Sequence, residues 1–475
     1  MRISFLKFKL FLIVTLCITA GCASFHPEPV SPSHALSAFE ARTLDDHGLK
    51  EFTEKNLQRK ITPWPPPSWD LTMLTLAALY YHPDMDVARA KRGVAEAGVV
   101  TAGGRPNPAA GLSIQHHSEA PGGISPWTWG LTLDIPIETA GKRGYRIEQA
   151  KHLSEAARLN IATAAWQVRS RLRKSLLDLY SAKQMETLLK SKEAAQEQIT
   201  KMLQQRLAAG EVSQPDVTQA HISLDQTRLS LHDAQKQGSQ ALARLAEALG
   251  LPASALDGAD IVFDFADRFP TRLPLDDIRR QALLGRSDIL SALAEYAASQ
   301  AALQLEIAKQ YPDIHLGPSY SWDQGDNKWS FGLSVTLPVF NRNQGPIAEA
   351  EARRKEAASS FIALQAQIIG DIAHSLAGYN SDLQKLETAD SLLEAQERQQ
   401  QSVQALFSRG GTDRLAIVSA RLERISAELS RLDALMKVQQ SLGLLEDAVQ
   451  RPLDPLGSFS IAPDMNYQTK EEDKE

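Results

Sequence analysis

Few side chains in this sequence have the types and spacing that chemistry requires. Cysteine occurs twice, at Cys17 and Cys22. Cys17 lies in an N-terminal leader that export would remove. Cys22 would then stand alone, with no disulfide partner and no Cys-based metal site, leaving acylation of its thiol as the chemistry open to it. The histidines are dispersed. His116-His117 falls near the end of a predicted strand, and His221 and His232 sit three turns apart on one predicted helix, too far to share one ion. They read as exposed loop and polar helix positions. There is no Gly-rich phosphate loop, no HExxH pair and no nucleophile elbow. The chain does not read as an enzyme, and nothing in it calls for a cofactor or a metal.

The leader has the layout of an export signal. Arg2, Lys7 and Lys9 form a basic region and residues 10–18 a short apolar one. Thr19-Ala20-Gly21-Cys22 follows and resembles a bacterial lipobox, with Thr19 where leucine is usual. Residues 1–21 therefore read as a signal peptide and Cys22 as the lipidated first residue of the mature chain. Ala23 stands where an aspartate would mark inner-membrane retention. The alternative is plain cleavage after Gly21 without lipid. Losing three basic residues takes the net charge from −6 to −9. That acidic balance gives no support for nucleic-acid binding.

The elements on which the rest depends are two strand pairs, residues 109–117 with 127–137 and residues 314–322 with 329–339. In the second strand Trp127, Trp129, Leu131, Leu133, Ile135 and Ile137 alternate with Thr128, Gly130, Thr132 and Asp134. In the fourth, Trp329, Phe331, Leu333, Val335, Leu337 and Val339 alternate with Ser330, Gly332, Ser334 and Thr336. A period of two puts large apolar groups on one face and small polar groups on the other. Trp127, Trp129, Tyr320, Trp322, Trp329 and Phe331 cluster towards the hairpin tips. Ten-residue strands with one apolar face and an aromatic girdle fit an outer-membrane β-barrel whose girdle faces lipid; half of a soluble β-sandwich is the alternative. After the leader no apolar run is long enough for a membrane-spanning helix.

The strand pairs belong to two repeats. Asp84 and Pro108 match Asp288 and Pro312 at an offset of 204; Gly130 and Pro136 match Gly332 and Pro338 at 202; Ile147, Gly210, Ala220 and Pro252 match Ile347, Gly410, Ala420 and Pro452 at 200. Each copy carries an Ala-rich helix (84–103, 288–310), a hairpin, a long helix (145–209, 347–409), a turn and a second long helix (214–249, 414–449). About 65 helical residues span roughly 100 Å. Val217, Ala220, Leu224, Thr227, Leu231, Ala234, Gly238, Ala241, Leu245 and Ala248 step by three and four as a small-residue coiled-coil seam. The second copy puts Arg424 and Arg431 on the matching face and makes a different seam with Leu422, Ile425, Leu429, Leu432 and Met436. The remaining charges of the long helices read as solvated faces. The domain reading is thus 1–21 signal, 22–70 lipid-anchored extended lead, 71–252 first repeat, 253–275 inter-repeat segment outside the rods, 276–452 second repeat and 453–475 polar tail. The Pro-rich lead, expected to hold a short helix at 49–60, is read as a tether that builds no core.

At the turns between the long helices, Gly210, Gly410 and Gly411 offer the freedom a helix reversal needs. Ser213 and Thr412 suit capping, with Asp216 and Asp413 near the positive helix end. Val212, Gln214 and Arg414 are expected to be exposed there as contact or gate residues.

Lipobox, duplicated helix–hairpin–helix–turn–helix order and barrel-type strands together resemble the TolC family of outer-membrane efflux ducts over about residues 71–452. Arg206-Leu207-Ala208-Ala209-Gly210-Glu211-Val212-Ser213 is similar to that family's helix-turn tip. Gly141-Lys142-Arg143-Gly144 and Asn341-Arg342-Asn343-Gln344-Gly345 are similar to its strand-to-helix junctions. Leu406 stands where the first copy has Arg206. The resemblance implies a mostly α fold with a transmembrane β-barrel portion: a long α-helical coiled-coil barrel plus four β-strands per protomer, two structural repeats and a trimeric 12-stranded barrel. It implies a homotrimer in outer-membrane lipid with a helical tunnel in the periplasm. The partners it implies are a periplasmic membrane-fusion adaptor docking at the tip and an inner-membrane pump of the RND type. The implied function is passive export of metal ions or small organic solutes. A type I secretion duct and a non-pore coiled-coil protein of the envelope are the alternatives.

Overall fold

Helix-forming runs broken by capping residues account for most of the chain. The computed structural model describes residues 24–119, 122–271 and 273–453. Two units are distinct, residues 1–42 and 43–475. In the first, α1 (Pro32–Glu40) starts at Ser31, whose hydroxyl accepts from His34 N, with Pro32 in the first turn; none of its residues is buried.

In the second unit α2 (His47–Leu57) is capped by Asp46 and α3 (Leu71–Tyr81) by Asp70, each carboxylate accepting a backbone N–H at 2.8 and 2.7 Å. The first repeat follows as α4 (Pro83–Gly103), β1 (Ala109–His116), β2 (Trp127–Ile137), α5 (Lys142–Ala208) and α6 (Gln214–Leu249). After α7 (Leu275–Gly285) the second repeats the order as α8 (Ser287–Ala308), β3 (Ile314–Asp323), β4 (Asp326–Val335), α9 (Gln344–Ser408) and α10 (Arg414–Val449). The 67 residues of α5 and 65 of α9 each run about 100 Å at 1.5 Å per residue. No such helix stands alone. α6 packs along α5 and α10 along α9, while α4 and α8 pack on α5 and α8 also on α9. The seam read on α6 is buried at Val217, Leu224, Thr227, Leu231, Ala234, Ala241 and Leu245. On α10, Ile425, Leu432 and Met436 are buried, with Leu422 and Leu429 partly buried beside them. Arg424 turns to Glu428 and Arg431 to Asp390.

Two segments contribute more than their composition suggests. Leu44, Leu49, Phe52 and Trp69 of the lead are buried in the main core with Leu74, Leu76, Leu79, Leu172, Leu176, Leu245 and Tyr379. Leu256 and Phe265 of the inter-repeat segment join them. Trp69 N donates to Asp260 O at 2.8 Å and Val262 N to Trp69 O at 3.0 Å, so the two segments pair where α6 ends. The expectation that residues 43–70 build no core is corrected here; residues 253–275, outside the long helices, add Leu256 and Phe265 to the same core. A few large apolar groups suffice because the ends of the long helices leave an apolar surface that must be covered.

Among the described residues the strands form one antiparallel sheet in the order β1-β2-β3-β4. The fourth strand starts earlier than its apolar pattern suggests, because Gln324 and Gly325 (φ 51° and 105°) form a two-residue hairpin turn directly after Asp323. Its pairing stops at Val335, so Leu337 and Val339 lie beyond it.

Candidate functional site

The candidate site is the sheet's two faces and the two helix reversals at the far end of the long helices. Register settles the faces. Leu112 lies opposite Leu131, Ile114 opposite Trp129, Trp129 opposite Trp322, Leu131 opposite Tyr320, Tyr320 opposite Trp329 and Leu316 opposite Leu333. Gly111 lies opposite Thr132, Ser113 opposite Gly130, Thr132 opposite Ser319 and Ser319 opposite Ser330. Since neighbours across a sheet share a face, one face is apolar except for His116 and Asn327 at its tip end, and the other is polar and made mostly of small residues. Trp127, Trp129, Trp329 and Phe331 are exposed. Trp129 and Tyr320 meet edge-on at 5.5 Å, and Tyr320 and Trp329 meet at a tilt at 4.7 Å. With Trp322 they form one aromatic cluster towards the tips.

The polar face carries its own contacts. Thr128 Oγ1 donates to Asp323 at 2.6 Å, His117 Nε2 lies 3.0 Å from Thr128 Oγ1, and Lys328 Nζ donates to Asp323 at 2.6 Å. His117 is thus a polar-face residue rather than a free loop histidine, while the His116 ring meets Trp127 at 4.7 Å. At the other end His315 Nδ1 lies 3.0 and 3.1 Å from the two oxygens of Asp134.

The strand-to-helix junctions turn at Ala140 and Gly141 (φ 54° and 73°) and at Asn343 (φ 63°). Gly144, Gly345 and Pro346 already lie inside the helices. Lys142 Nζ donates to Asp313 at 2.7 Å, Arg146 pairs with Glu138, and Asn343 Nδ2 donates to Glu306 O, which ties each junction to its neighbouring strand or helix.

The reversals have matching geometry. Gly210 and Gly410 are left-handed (φ 77° and 75°). Glu211 N donates to Arg206 O and Gly411 N to Leu406 O, both at 2.9 Å, which closes a Schellman turn in each copy. Asp216 accepts from the Ser213 N–H and hydroxyl, holding its carboxyl below the usual range. In the second copy Asp413, not Thr412, is the cap: it accepts from Ala416 N at 2.9 Å. At the offset of 200 Asp413 stands where the first copy has Ser213, and its second oxygen takes the guanidinium of Arg206. That hydrogen bond, with the Ala416 N–H, pushes Asp413 down and Arg206 up. The two turns, more than 200 residues apart in sequence, are therefore joined. Val212 is half-buried; Gln214 and Arg414 are exposed. Cys22 lies outside the described residues.

A buried polar network was not legible in the sequence. Arg169 and Arg173 of α5 reach Glu446 of α10, each at 3.3 Å. Arg173 also donates to Gln439 Oε1 at 2.8 Å, and Gln439 Nε2 donates to Ala266 O and Arg268 O of the inter-repeat segment at 2.8 and 2.9 Å. Arg169 stacks on Trp166. A polar cavity of about 510 Å³ adjoins them. These arginines are exceptions to the reading of the long helices as solvated. Among the described residues no three His, Cys, Asp or Glu side chains gather as a metal site, and no helix is long and apolar enough to cross a membrane.

Comparison with known proteins agrees with this architecture. Residues 75–251 and 278–449 match the outer membrane efflux protein model. The cobalt-zinc-cadmium resistance protein CzcC of Cupriavidus metallidurans is 26% identical over 49% of this chain, which spans 55% of that relative. The probable outer membrane lipoprotein SilC of Salmonella typhimurium is 24% identical over 90% of this chain and 95% of its own. The pyoverdine export outer membrane protein OpmQ of Pseudomonas aeruginosa is 24% identical over 67% and 70%. The solved outer-membrane channel OprN superposes with a TM-score of 0.66 at 19% identity, covering 91% of this chain and 98% of that one. With both repeats matched, the chain belongs to the outer membrane efflux protein family, the TolC family of outer-membrane efflux ducts.

Proposed function

We propose that the protein is the passive outer-membrane duct of a tripartite efflux system and that divalent metal cations are its principal cargo. The observation that carries the duct reading is the sheet: one face predominantly apolar, the other polar and mostly small, and both edges, β1 and β4, open. An open edge invites another strand, and four strands cannot close a barrel whose smallest form has eight. Three chains would supply twelve strands, with the aromatic cluster in the lipid interface and the small polar face around the lumen. A coiled-coil protein without a pore would have no use for such a sheet. The long helices would continue the lumen through the periplasm. Their tips, with Arg206, Val212, Gln214 and Arg414, would meet the adaptor and pump. Lipid on Cys22 would add a second anchor. The metal reading is supported by the name of CzcC, a cobalt-zinc-cadmium resistance protein; the name of OpmQ makes organic export the competing reading.

The test uses cysteines at Gln214 and Arg414, joined between neighbouring tips by a short thiol crosslinker. Crosslinked cells should become as sensitive to zinc, cobalt or cadmium as a deletion strain, with trimers intact in the membrane. Metal export that continues through fully crosslinked tips would show that the path lies elsewhere.

A further inference from the structure

We propose that His315 and Asp134 form a weak transit site for a borderline divalent cation such as Zn²⁺ on the polar face of the sheet. This rests on the duct reading above, which makes that face the lumen wall. Backbone pairing places the two donors: His315 opposes Pro136, two residues beyond Asp134 on β2, so both side chains leave the same face. The His315 Nδ1 lies 3.0 and 3.1 Å from the two Asp134 oxygens. Metal–nitrogen and metal–oxygen bonds of roughly 2.0–2.2 Å meeting near a right angle put two donors about 3 Å apart. A cation can therefore replace the shared proton with little movement of either side chain. The side chains keep 38% and 53% exposure, which leaves room for water in the remaining coordination positions.

The donor set selects the ion. Imidazole with carboxylate suits zinc, cobalt, nickel and copper, whereas magnesium and calcium prefer oxygen alone. Two protein donors hold an ion weakly, and conduction needs a site favourable enough to enter and weak enough to leave.

The other histidine–carboxylate pair on this face is the natural contrast. His117 lies 3.8 Å from Asp323, but Lys328 Nζ sits 2.6 Å from the same carboxylate and would repel a second cation. At the His315 end Lys142 is engaged by Asp313 rather than by Asp134. The cavity of about 820 Å³ that His315 lines at the mouth of the sheet also holds Glu138, Arg146 and Lys309, with Arg146 paired to Glu138 and Lys309 to Glu306. Asp134 is thus the carboxylate there whose recorded ion-pair partner is an imidazole.

The experiment titrates the purified, detergent-solubilised full-length protein with ZnCl₂ by calorimetry, with MgCl₂ as the hard-ion comparison. His315→Ala should remove one zinc per protomer, and Asp134→Asn should weaken that zinc at least fivefold. His117→Ala should leave it unchanged. His315→Gln, which keeps a polar side chain, should behave as His315→Ala, so that a loss arising only from misfolding is recognised. Unchanged zinc isotherms in both His315 and Asp134 variants, or equal binding of magnesium, would overturn the site. Because binding is read on the isolated protein, that result would leave the duct reading intact, whereas export through crosslinked tips would remove the transit role and leave the zinc isotherms unchanged.

Discussion

Glu446 and Asp447 are adjacent on α10 yet differ in what surrounds them. Glu446 is 2% exposed and faces two guanidiniums. Removing one partner of a buried ion pair leaves uncompensated charge and costs about 3–5 kcal/mol. Glu446→Ala should therefore lower the unfolding temperature in detergent sharply. Asp447 accepts from Trp166 Nε1 at 2.9 Å and Ser170 Oγ at 2.6 Å. Burial, reinforced by the charge of Glu446, pushes its carboxyl above the usual value of 3.8 against those hydrogen bonds and Arg169. An acid whose folded value is raised adds stability at pH below 3.8, and that contribution is lost as pH rises through the folded value. Burial thus makes the ionised form of Asp447 less favourable in the folded protein than in the unfolded chain. Asp447→Asn, whose Oδ1 can still accept from Trp166 Nε1 while its Nδ2 donates to Ser170 Oγ, should raise the unfolding temperature at pH 7, with the gain shrinking towards pH 4. A destabilisation of equal size at every pH would contradict this account.

At the scale of elements, the strands have the sharpest consequence. Leu133 opposes Ala110 on the apolar face, and Thr132 opposes Gly111 and Ser319 on the polar one. Arginine at Leu133 should cost about 2–4 kcal/mol if the position lies near the bilayer midplane and should reduce the yield of assembled barrel. Arginine at Thr132 should assemble normally and alter single-channel conductance. Equal damage at both positions would contradict the assignment of faces. Among the helices, alternate partners hold the two long rods: α4 and α8 along one part of α5, α6 and α10 along others. This explains how 67 residues stay helical with caps only at the ends.

At the scale of the whole molecule, the open edges β1 and β4 would make the barrel a property of the assembly. Cysteines scanned along β1 against a cysteine at Ser330 of β4 should crosslink between chains. They should do so from the polar-face positions Gly111, Ser113 and Gln115, and not from Leu112 or Ile114. The product on a denaturing gel should be a covalent trimer. Crosslinks that ignore the alternation, or none at all, would contradict closure through these edges.

Local pattern alone determined the long helices, their reversal at Gly210 and Gly410, the duplication and the two faces of the strands. Each of these depends on periodicity or on a backbone conformation set within a few residues, and such signals survive without knowledge of neighbours. Tertiary structure decided where polar and charged groups meet. Arg169 and Glu446 are 277 residues apart, His315 and Asp134 are 181 apart, and Arg206 finds Asp413 across 207. It also decided that Leu49 and Phe52, set among polar residues, and Phe265 of the short inter-repeat run would be core. An arginine on a long helix reads the same whether it faces water or a buried carboxylate, because its environment is supplied by packing and not by its neighbours in sequence.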